Sequence, residues 1–424
     1  MGVGFGEALR VWLKIGCFGF GGPAGQIALM HRILVDEKRW VEETRYLHAL
    51  NFCMLLPGPE AQKLATYVGW LLHGARGGLA AGILFVLPGA LVMLGVSLLY
   101  ALGQGIAAVD GALFGVKAAV LAIVVEALLR IGRRGLKTRL LVGIAGAAFV
   151  GIHFLALPFP LIVFVAGVVG YFTTREKATT PHPGNPGAWR QARRAMLVGL
   201  VLWLAPIALV VLAFGTRHVL FDIAEFFSKL AVVSFGGAYA LLAYMAQQAV
   251  ETYGWMSAPE MVDGLGLAET LPGPLIKVTQ FVGFLAAYRD PAPFSPVAAA
   301  VIGSALTTWV TFVPPMMLIF AGAPFIEQLR SNPRLSGALA AVTAAVVGVI
   351  LNLTIWFALH VLFARVEEVR AGPLRWYAFD PAALDWKAGA LALVAAFLML
   401  RLRRDLVETV VLMAAAGILL RFTL

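Results

Sequence analysis

The sequence predicts an all-α integral membrane protein made of two inverted-topology repeats with broken or re-entrant helices. Three observations support this fold class: an apolar composition, apolar segments that recur along the whole chain, and a repeat at a spacing of 215 residues. Of the 424 residues, 60% are hydrophobic and only 13% are charged, and the mean hydropathy is +0.86. A soluble chain of this size exposes far more charge, so we expect the lipid bilayer to surround most of it.

About 13 hydrophobic segments alternate with polar stretches, and most approach the 20 residues that a membrane-spanning helix needs. The stretch 173–194 is polar and rich in proline and glycine, which predicts a flexible linker. The hydrophobic segments are expected at residues 7–31, 46–72, 79–102, 107–129, 140–152, 157–172, 195–214, 222–246, 261–287, 296–321, 337–363, 388–400 and 406–420.

The repeat consists of helix breakers and a lysine within apolar sequence. Thirteen of the 49 positions from Lys14 to Gln62 are identical to the residues 215 positions later, with no gap. We call residues 56–59 and 271–274, both Leu-Pro-Gly-Pro, the first and second proline breaks. We call residues 19–22 and 234–237, which share Phe-Gly-Gly, the first and second glycine breaks. The repeat therefore marks a duplicated fold and a set of paired helix breaks.

Basic residues predict the orientation of the repeats. Twenty Lys and Arg lie in the loops assigned to the cytoplasm and seven in the opposite loops, as the positive-inside bias predicts. Loop 32–45 holds four basic residues, whereas its repeat partner 247–260 holds none. The halves are therefore expected to be inverted, as in secondary transporters. The predicted domains are an N-terminal transporter repeat, a cytoplasmic linker, a connector helix and a C-terminal inverted repeat, at residues 1–172, 173–194, 195–214 and 215–424.

The breaks predict a site for a small oxyanion. A helix that begins after Pro59 or Pro274 presents free N–H groups and a partial positive charge. Lys63 and Lys277 follow within about one turn and add full charges inside apolar sequence. The glycine breaks allow close backbone approach. The candidate substrate-binding residues are Lys63, Lys277, Gly21, Gly22, Pro57, Gly58, Pro59, Gln62, Ser234, Gly236, Gly237, Pro272, Gly273, Pro274, Lys14 and Lys229.

Several of these roles stay open at the level of sequence. Lys14 and Lys229 either face a cavity or extend to the membrane surface. Ser234 is a candidate donor to an anion, although its repeat partner is Gly19. Glu60 and Glu126 are candidates for a coupling proton, and Glu60 is alternatively a neutralising partner of Lys63.

Other classes of function find little support in the sequence. The net charge of +10 is explained by cytoplasmic loops, so no nucleic-acid partner is expected. The seven histidines have no metal-ligand spacing, and there is no phosphate-binding loop for ATP. No cofactor or metal is expected, and the protein is not expected to be an enzyme. The enzymatic alternative is a membrane enzyme, such as a reductase or a lipid-modifying protein, and a reductase would need a flavin, a haem or a redox-active cysteine pair.

The Phe20-Gly21-Gly22-Pro23 and Ser234-Phe235-Gly236-Gly237 sequences, together with both proline breaks, resemble the long, two-domain form of the chromate ion transporter family. The resemblance covers nearly the whole chain. It implies export of chromate from the bacterial cytoplasm through the inner membrane, and hence chromate resistance. Chromate is a tetrahedral dianion similar to sulfate, so sulfate is a second candidate substrate. Alternatives on the same scaffold are an oxyanion channel and a transporter of sulfate or another oxyanion. A homodimer and the coupling ion are left open.

Overall fold

The computed structural model describes residues 3–20, 22–103, 105–174, 187–234, 238–325 and 333–423. The predicted all-α membrane fold is confirmed: within these residues, five helices are long and apolar enough to cross a membrane. They are Glu60–Leu102, Ala107–Gly135, Ala188–Phe214, Pro296–Phe325 and Arg334–Leu362.

The first half of the chain contains seven described helices before the linker region. The first predicted segment is split at the first glycine break, and the second at the first proline break. These helices are α1 (Phe5–Phe18), α2 (Gly22–His31), α3 (Glu43–Leu55), α4 (Glu60–Leu102), α5 (Ala107–Gly135), α6 (Arg139–His153) and α7 (Phe159–Thr173).

The second half begins with the predicted connector, which is longer than expected and starts at Ala188. After the long helix that ends at Leu362, residues 366–379 form a β-hairpin of two short strands in antiparallel register, which was not predicted from the sequence. The elements are α8 (Ala188–Phe214), α9 (Val219–Val233), α10 (Ala238–Gln247), α11 (Ala258–Thr270), α12 (Val278–Arg289), α13 (Pro296–Gly322), α14 (Pro333–Leu362), β1 (Val366–Ala371), β2 (Leu374–Phe379), α15 (Trp386–Ala396) and α16 (Leu406–Thr423).

The helix boundaries follow the sequence repeat. Helix α11 begins and ends 215 residues after α3, and both lead directly into a proline break. A π-helical turn follows α2 at Arg32–Glu37 and α10 at Gln248–Thr252. Because equivalent breakers stand at equivalent positions, the same local conformations are selected twice along the chain.

Helix α4 turns back on itself near its first third. His73 and Gly74 are non-helical, and Gly74 has φ 61° and ψ −151°. A Cβ atom on Gly69 would lie 2.4 Å from the carbonyl oxygen of Gly77, so the two arms of the turn pack closely. The first arm, residues 60–72, is thus a short helix between the proline break and the turn.

The chain forms two compact units, and each draws on both halves of the sequence. The first unit comprises residues 1–98, 175–238 and 271–336, and the second comprises residues 99–174, 239–270 and 337–424. In the first unit, α13 packs on α8, α9 and α12. Both proline breaks belong to this unit, together with Gly19 and Ser234 from the glycine breaks.

In the second unit, α5 packs tightly on α16. A Cβ on Gly115 would lie 1.8 Å from Met413 O, so the two backbones approach as closely as small residues permit. The hairpin is attached to the end of α6 by Arg375, whose side chain is 2% exposed. Its guanidinium donates to Ile152 O at 2.6 Å.

Candidate functional site

The first proline break separates α3 from α4. Leu56 is extended, with φ −99° and ψ 148°, as expected for a residue that precedes a proline. Gly58 has φ +106°, a conformation that L side chains rarely adopt. The helix restarts at once, since Lys63 N–H donates to Pro59 O at 3.0 Å. Pro57 and Pro59 therefore stop one helix and start the next, and Pro59 stands where a missing N–H is tolerated.

The second proline break repeats this geometry between α11 and α12. Gly273 has φ +93°, and Pro274 is extended with φ −60° and ψ 137°. Lys277 N–H donates to Pro274 O at 3.0 Å, which closes a short 3₁₀ turn at Leu275–Lys277 before α12 begins. Pro272 and Pro274 thus take the roles of Pro57 and Pro59.

The proline breaks are joined to the glycine breaks by two crossed backbone hydrogen bonds. Gly58 N–H donates to Ser234 O at 3.0 Å, and Gly273 N–H donates to Gly19 O at 3.0 Å. Both the donors and the acceptors differ by 215 residues. Each proline break of one half is therefore paired with the glycine break of the other half.

The packing around the two central glycines is crossed in the same way. A Cβ on Gly58 would lie 2.4 Å from Cγ of Pro315, on α13 of the second half. A Cβ on Gly89, on α4 of the first half, would lie 2.4 Å from Pro272 O and 3.1 Å from the Cα of Gly273. Only glycine at these positions permits so close an approach.

The two predicted lysines are both buried, at 1% exposure. The ammonium of Lys63 donates to Leu56 O. The ammonium of Lys277 donates to Leu271 O at 2.9 Å and to Gly273 O at 3.1 Å. Leu56 and Leu271 are the first residues of the two proline breaks, so each lysine binds a carbonyl of its own break. The positive charge lies where the preceding helix presents carbonyl groups and a partial negative charge.

Three buried glutamines lie in the same unit, and only Gln62 was predicted from the sequence. Gln26 Nε2 donates to Gly273 O at 2.6 Å and to Gly19 O at 3.2 Å, and Gln280 Nε2 donates to Ala90 O at 2.9 Å. Gln62 is fully buried, and neither its Nε2 nor its Oε1 has a hydrogen-bond partner among the described residues. Gln26 and Gln280 could have been recognised in the sequence, because each is a primary amide in an apolar segment shortly after a break.

The glycine breaks are described in part. Gly22 begins α2 with φ +66°, and the Ser234 hydroxyl donates to Ala231 O at 2.8 Å. Ser234 therefore contributes its carbonyl to the crossed pair, while its hydroxyl is engaged with α9. The predicted residues Gly21, Gly236 and Gly237 lie outside the described residues.

The other two predicted lysines are exposed. Lys14 lies on an exposed face of α1. Lys229 lies at the equivalent position on α9, where its ammonium is 2.8 Å from Glu225 in an i,i+4 ion pair. Of the two alternatives for these lysines, this placement favours extension to the membrane surface.

The predicted coupling acids differ in their surroundings. Glu60 is half-buried at the first residue of α4, and the described residues contain no ion pair between Glu60 and Lys63. Glu126 forms an i,i+4 ion pair with Arg130 at 3.3 Å, with both side chains about 30% exposed. Their roles stay predictions.

Taken together, the fold and the paired breaks define a multi-pass α-helical membrane protein of the broken-helix transporter class. A family model described as "Chromate transporter" matches residues 6–171 and 221–420. This chain belongs to the chromate transporter family, whose members are transporters and not enzymes.

Individual relatives agree with this assignment. A "Chromate transport protein" of Pseudomonas aeruginosa is 34% identical over 369 residues, covering 85% of this chain and 82% of the relative. A "Probable chromate transport protein" of Synechococcus elongatus is 28% identical over 355 residues, covering 81% and 82%. The "Uncharacterized transporter YwrB" of Bacillus subtilis is 29% identical over 185 residues, which is 41% of this chain and 91% of the relative. No solved structure matches the chain.

Proposed function

We propose that this chain is a secondary transporter that exports chromate across the bacterial inner membrane and thereby confers chromate resistance. The observation that supports the proposal is the crossed pair of hydrogen bonds, Gly58 to Ser234 and Gly273 to Gly19. It provides two equivalent half-sites from one duplicated sequence. Relatives named for chromate transport support the choice of substrate.

In this proposal, chromate binds near the middle of the membrane between the two repeats. The helices that begin after Pro59 and Pro274 direct N–H groups and positive partial charge toward the anion. Lys63 and Lys277 exchange a backbone carbonyl for an anion oxygen, which strengthens each bond because both partners are then charged. The Gln62 amide donates a further hydrogen bond. Movement of one helical bundle against the other then exposes the anion on the opposite side.

Uptake of labelled chromate by everted membrane vesicles tests the site. We expect Lys63→Ala and Lys277→Ala each to reduce uptake at least about tenfold, the effect of losing roughly 1.4 kcal/mol of binding. The exposed pair Lys14→Ala and Lys229→Ala removes the same charge from repeat-related positions and is expected to keep wild-type uptake. If both buried-lysine variants take up chromate at the wild-type rate and at equal protein levels, the proposed binding site is wrong.

The domain proposal is that residues 1–172 and 215–424 are inverted repeats, divided by the cytoplasmic linker 173–194 and the connector 195–214. Single cysteines at Arg39 and Gly254, in a background with Cys17 and Cys53 replaced by Ala, test the inversion. An impermeant maleimide is expected to label position 39 only from the cytoplasm and position 254 only from the outside. Labelling of both from one side would contradict inversion.

The same paired breaks also suit an oxyanion channel or a transporter of sulfate. An exchanger accelerates uptake of labelled chromate when unlabelled anion is inside the vesicle, and this acceleration persists when the membrane potential is clamped. In a channel, the acceleration of uptake disappears when the membrane potential is clamped. Competition by sulfate, molybdate and phosphate ranks the substrates by the geometry and charge that the half-sites accept.

A further inference from the structure

A second polar cluster, in the other compact unit, surrounds Asp263 of α11. A cavity of about 790 Å³ lies beside this carboxylate and is lined in part by α5 and α16. Arg421 at its rim is exposed, and Asp110 and Lys387 are half-exposed. Charged side chains within membrane proteins usually face a water-filled cavity or one another, so we expect this cavity to hold water.

Asp263 is 3% exposed and has two unequal oxygens. Its Oδ2 accepts a hydrogen bond from the Tyr100 hydroxyl at 2.9 Å and lies 3.2 Å from the ammonium of Lys117. Its Oδ1 is buried and has no hydrogen-bond partner among the described residues. Because Asp263 lines the cavity and its Oδ1 has room for a further hydrogen bond, this oxygen can accept a proton.

The other charged groups around the carboxylate are already engaged or lie at the rim. Glu260, on the same helix, accepts hydrogen bonds from the Ser257 N–H and hydroxyl. Asp385 accepts from the N–H groups of Lys387 and Ala388. Lys117 is therefore the cation that neutralises Asp263 most directly, and its side chain is 26% exposed.

A structural ion pair is the plainer explanation of Asp263 and Lys117. Buried pairs contribute little net stability, however, because desolvation offsets the attraction. A structural pair would also have both carboxylate oxygens satisfied, since a buried oxygen without a partner costs free energy. The open Oδ1 distinguishes this pair from a purely structural one.

We propose that Asp263 is the proton-binding site that couples proton movement to anion transport. A proton enters through the cavity and binds to Oδ1, which converts the carboxylate to a neutral acid and ends its ion pair with Lys117. The helix that carries Asp263 leads along the chain into the second proline break, and Tyr100 lies near the C-terminal end of α4, beyond its turn at His73 and Gly74. Protonation thus changes the charge on α11, the helix that precedes the second proline break, and on the carboxylate that Tyr100 of α4 contacts. The inference rests on the proposed transport function.

The test uses full-length protein in proteoliposomes with labelled chromate and a trapped pH-sensitive dye. We expect wild-type protein to move protons when chromate is added. We expect Asp263→Asn, which keeps the shape but cannot ionise, to reduce that proton flux and pH-gradient-driven uptake at least tenfold while retaining chromate counterflow. Asp110→Asn removes an equivalent charge from the same cavity and is expected to behave as wild type. Asp263→Glu should recover part of the proton flux.

The outcomes separate the inference from the proposed function. If wild-type protein transports no chromate, the proposed function fails. If it transports chromate without proton flux, or if Asp263→Asn keeps that flux, the inference alone is overturned. Loss of counterflow together with proton flux in a folded Asp263→Asn protein would also overturn it, because Asp263 would then be needed for translocation itself.

Discussion

At the scale of single residues, Gln62 is fully buried, and its amide has no hydrogen-bond partner within the part of the chain that the structure describes. A buried amide without hydrogen bonds is costly to the folded state, by about 1–3 kcal/mol. Gln62 is fully buried in the first turn of α4, one residue before Lys63. A role in ligand binding explains this cost, because the Gln62 amide would form its hydrogen bonds only when the ligand is bound.

Replacement of Gln62 by Leu is therefore expected to change stability and binding in opposite directions. The thermal midpoint should rise, because an unsatisfied amide is removed, while chromate binding should weaken about tenfold. Thermal unfolding and a binding titration in detergent measure the two effects. Gln26→Leu is the contrasting control: its amide bonds Gly19 O and Gly273 O, so its loss should lower the midpoint. A lower midpoint for Gln62→Leu would contradict the ligand-binding role.

Gly58 has a conformational and a steric reason to be glycine. Its φ of +106° costs other residues on the order of 1–3 kcal/mol. Its absent Cβ also makes room for Pro315. We expect Gly58→Ala to lower the thermal midpoint and abolish chromate transport.

Gly95→Ala is the matched control for Gly58→Ala. Gly95 lies within α4, and a Cβ there would have nothing within 4 Å. Helical glycine-to-alanine changes usually stabilise by about 0.5–1 kcal/mol. Equal stability of the two variants in thermal unfolding would show that the crossed packing at the first proline break is not needed.

At the scale of elements, the β-hairpin is held to the second unit by Arg375 and its acidic neighbours. The Arg375 guanidinium lies 3.5 Å from Glu251 and 3.7 Å from Glu368. Burial raises the pKa of Glu251 above its ordinary value, and the guanidinium lowers that pKa by less. The folded protein consequently favours the protonated form of Glu251 more than the unfolded chain does.

This shift predicts a specific pH dependence. A carboxyl with a raised folded pKa contributes stability at low pH and loses it as pH rises through the folded pKa. Glu251→Gln imitates the protonated form, so its thermal midpoint should exceed that of wild type at pH 8 and equal it near pH 4. Unfolding measured at both values provides the test. A variant less stable than wild type at pH 8 would indicate that the ion pair with Arg375 outweighs burial.

The sequence predicted the helical elements well and the contacts between them poorly. The breaks were visible because proline and glycine act locally, on their own backbone. The hairpin was missed because its strands are short and lie between apolar helices. Asp263 was not predicted because its partner Lys117 lies on another helix, and the spacing of residues along one helix does not indicate a pair that joins α5 to α11. The lysine–carbonyl bonds depend on side-chain direction, which spacing alone does not determine.

At the scale of the whole molecule, the compact units do not follow the order of the sequence. Each unit needs residues from before the linker and from after it.

Separation of the chain between residues 174 and 187 is therefore expected to be tolerated only when both pieces are made together. Co-expression of 1–174 and 175–424 should restore chromate uptake, because each compact unit is then complete. Either piece alone should give no uptake and little folded protein. Vesicle uptake and size-exclusion chromatography measure both outcomes. Folded, active protein from one piece would mean that the interleaving is not required.

The crossed hydrogen bonds have one more consequence, which concerns genetic screens. Both bonds join backbone atoms, so no exchange of side chains deletes either of them, except a proline at Gly58 or Gly273. In a deep mutational scan, proline at either glycine would also remove the positive φ, so the scan would not separate the loss of a hydrogen bond from the loss of the glycine conformation. Replacement of the peptide N–H by an ester oxygen at one position would reveal them directly.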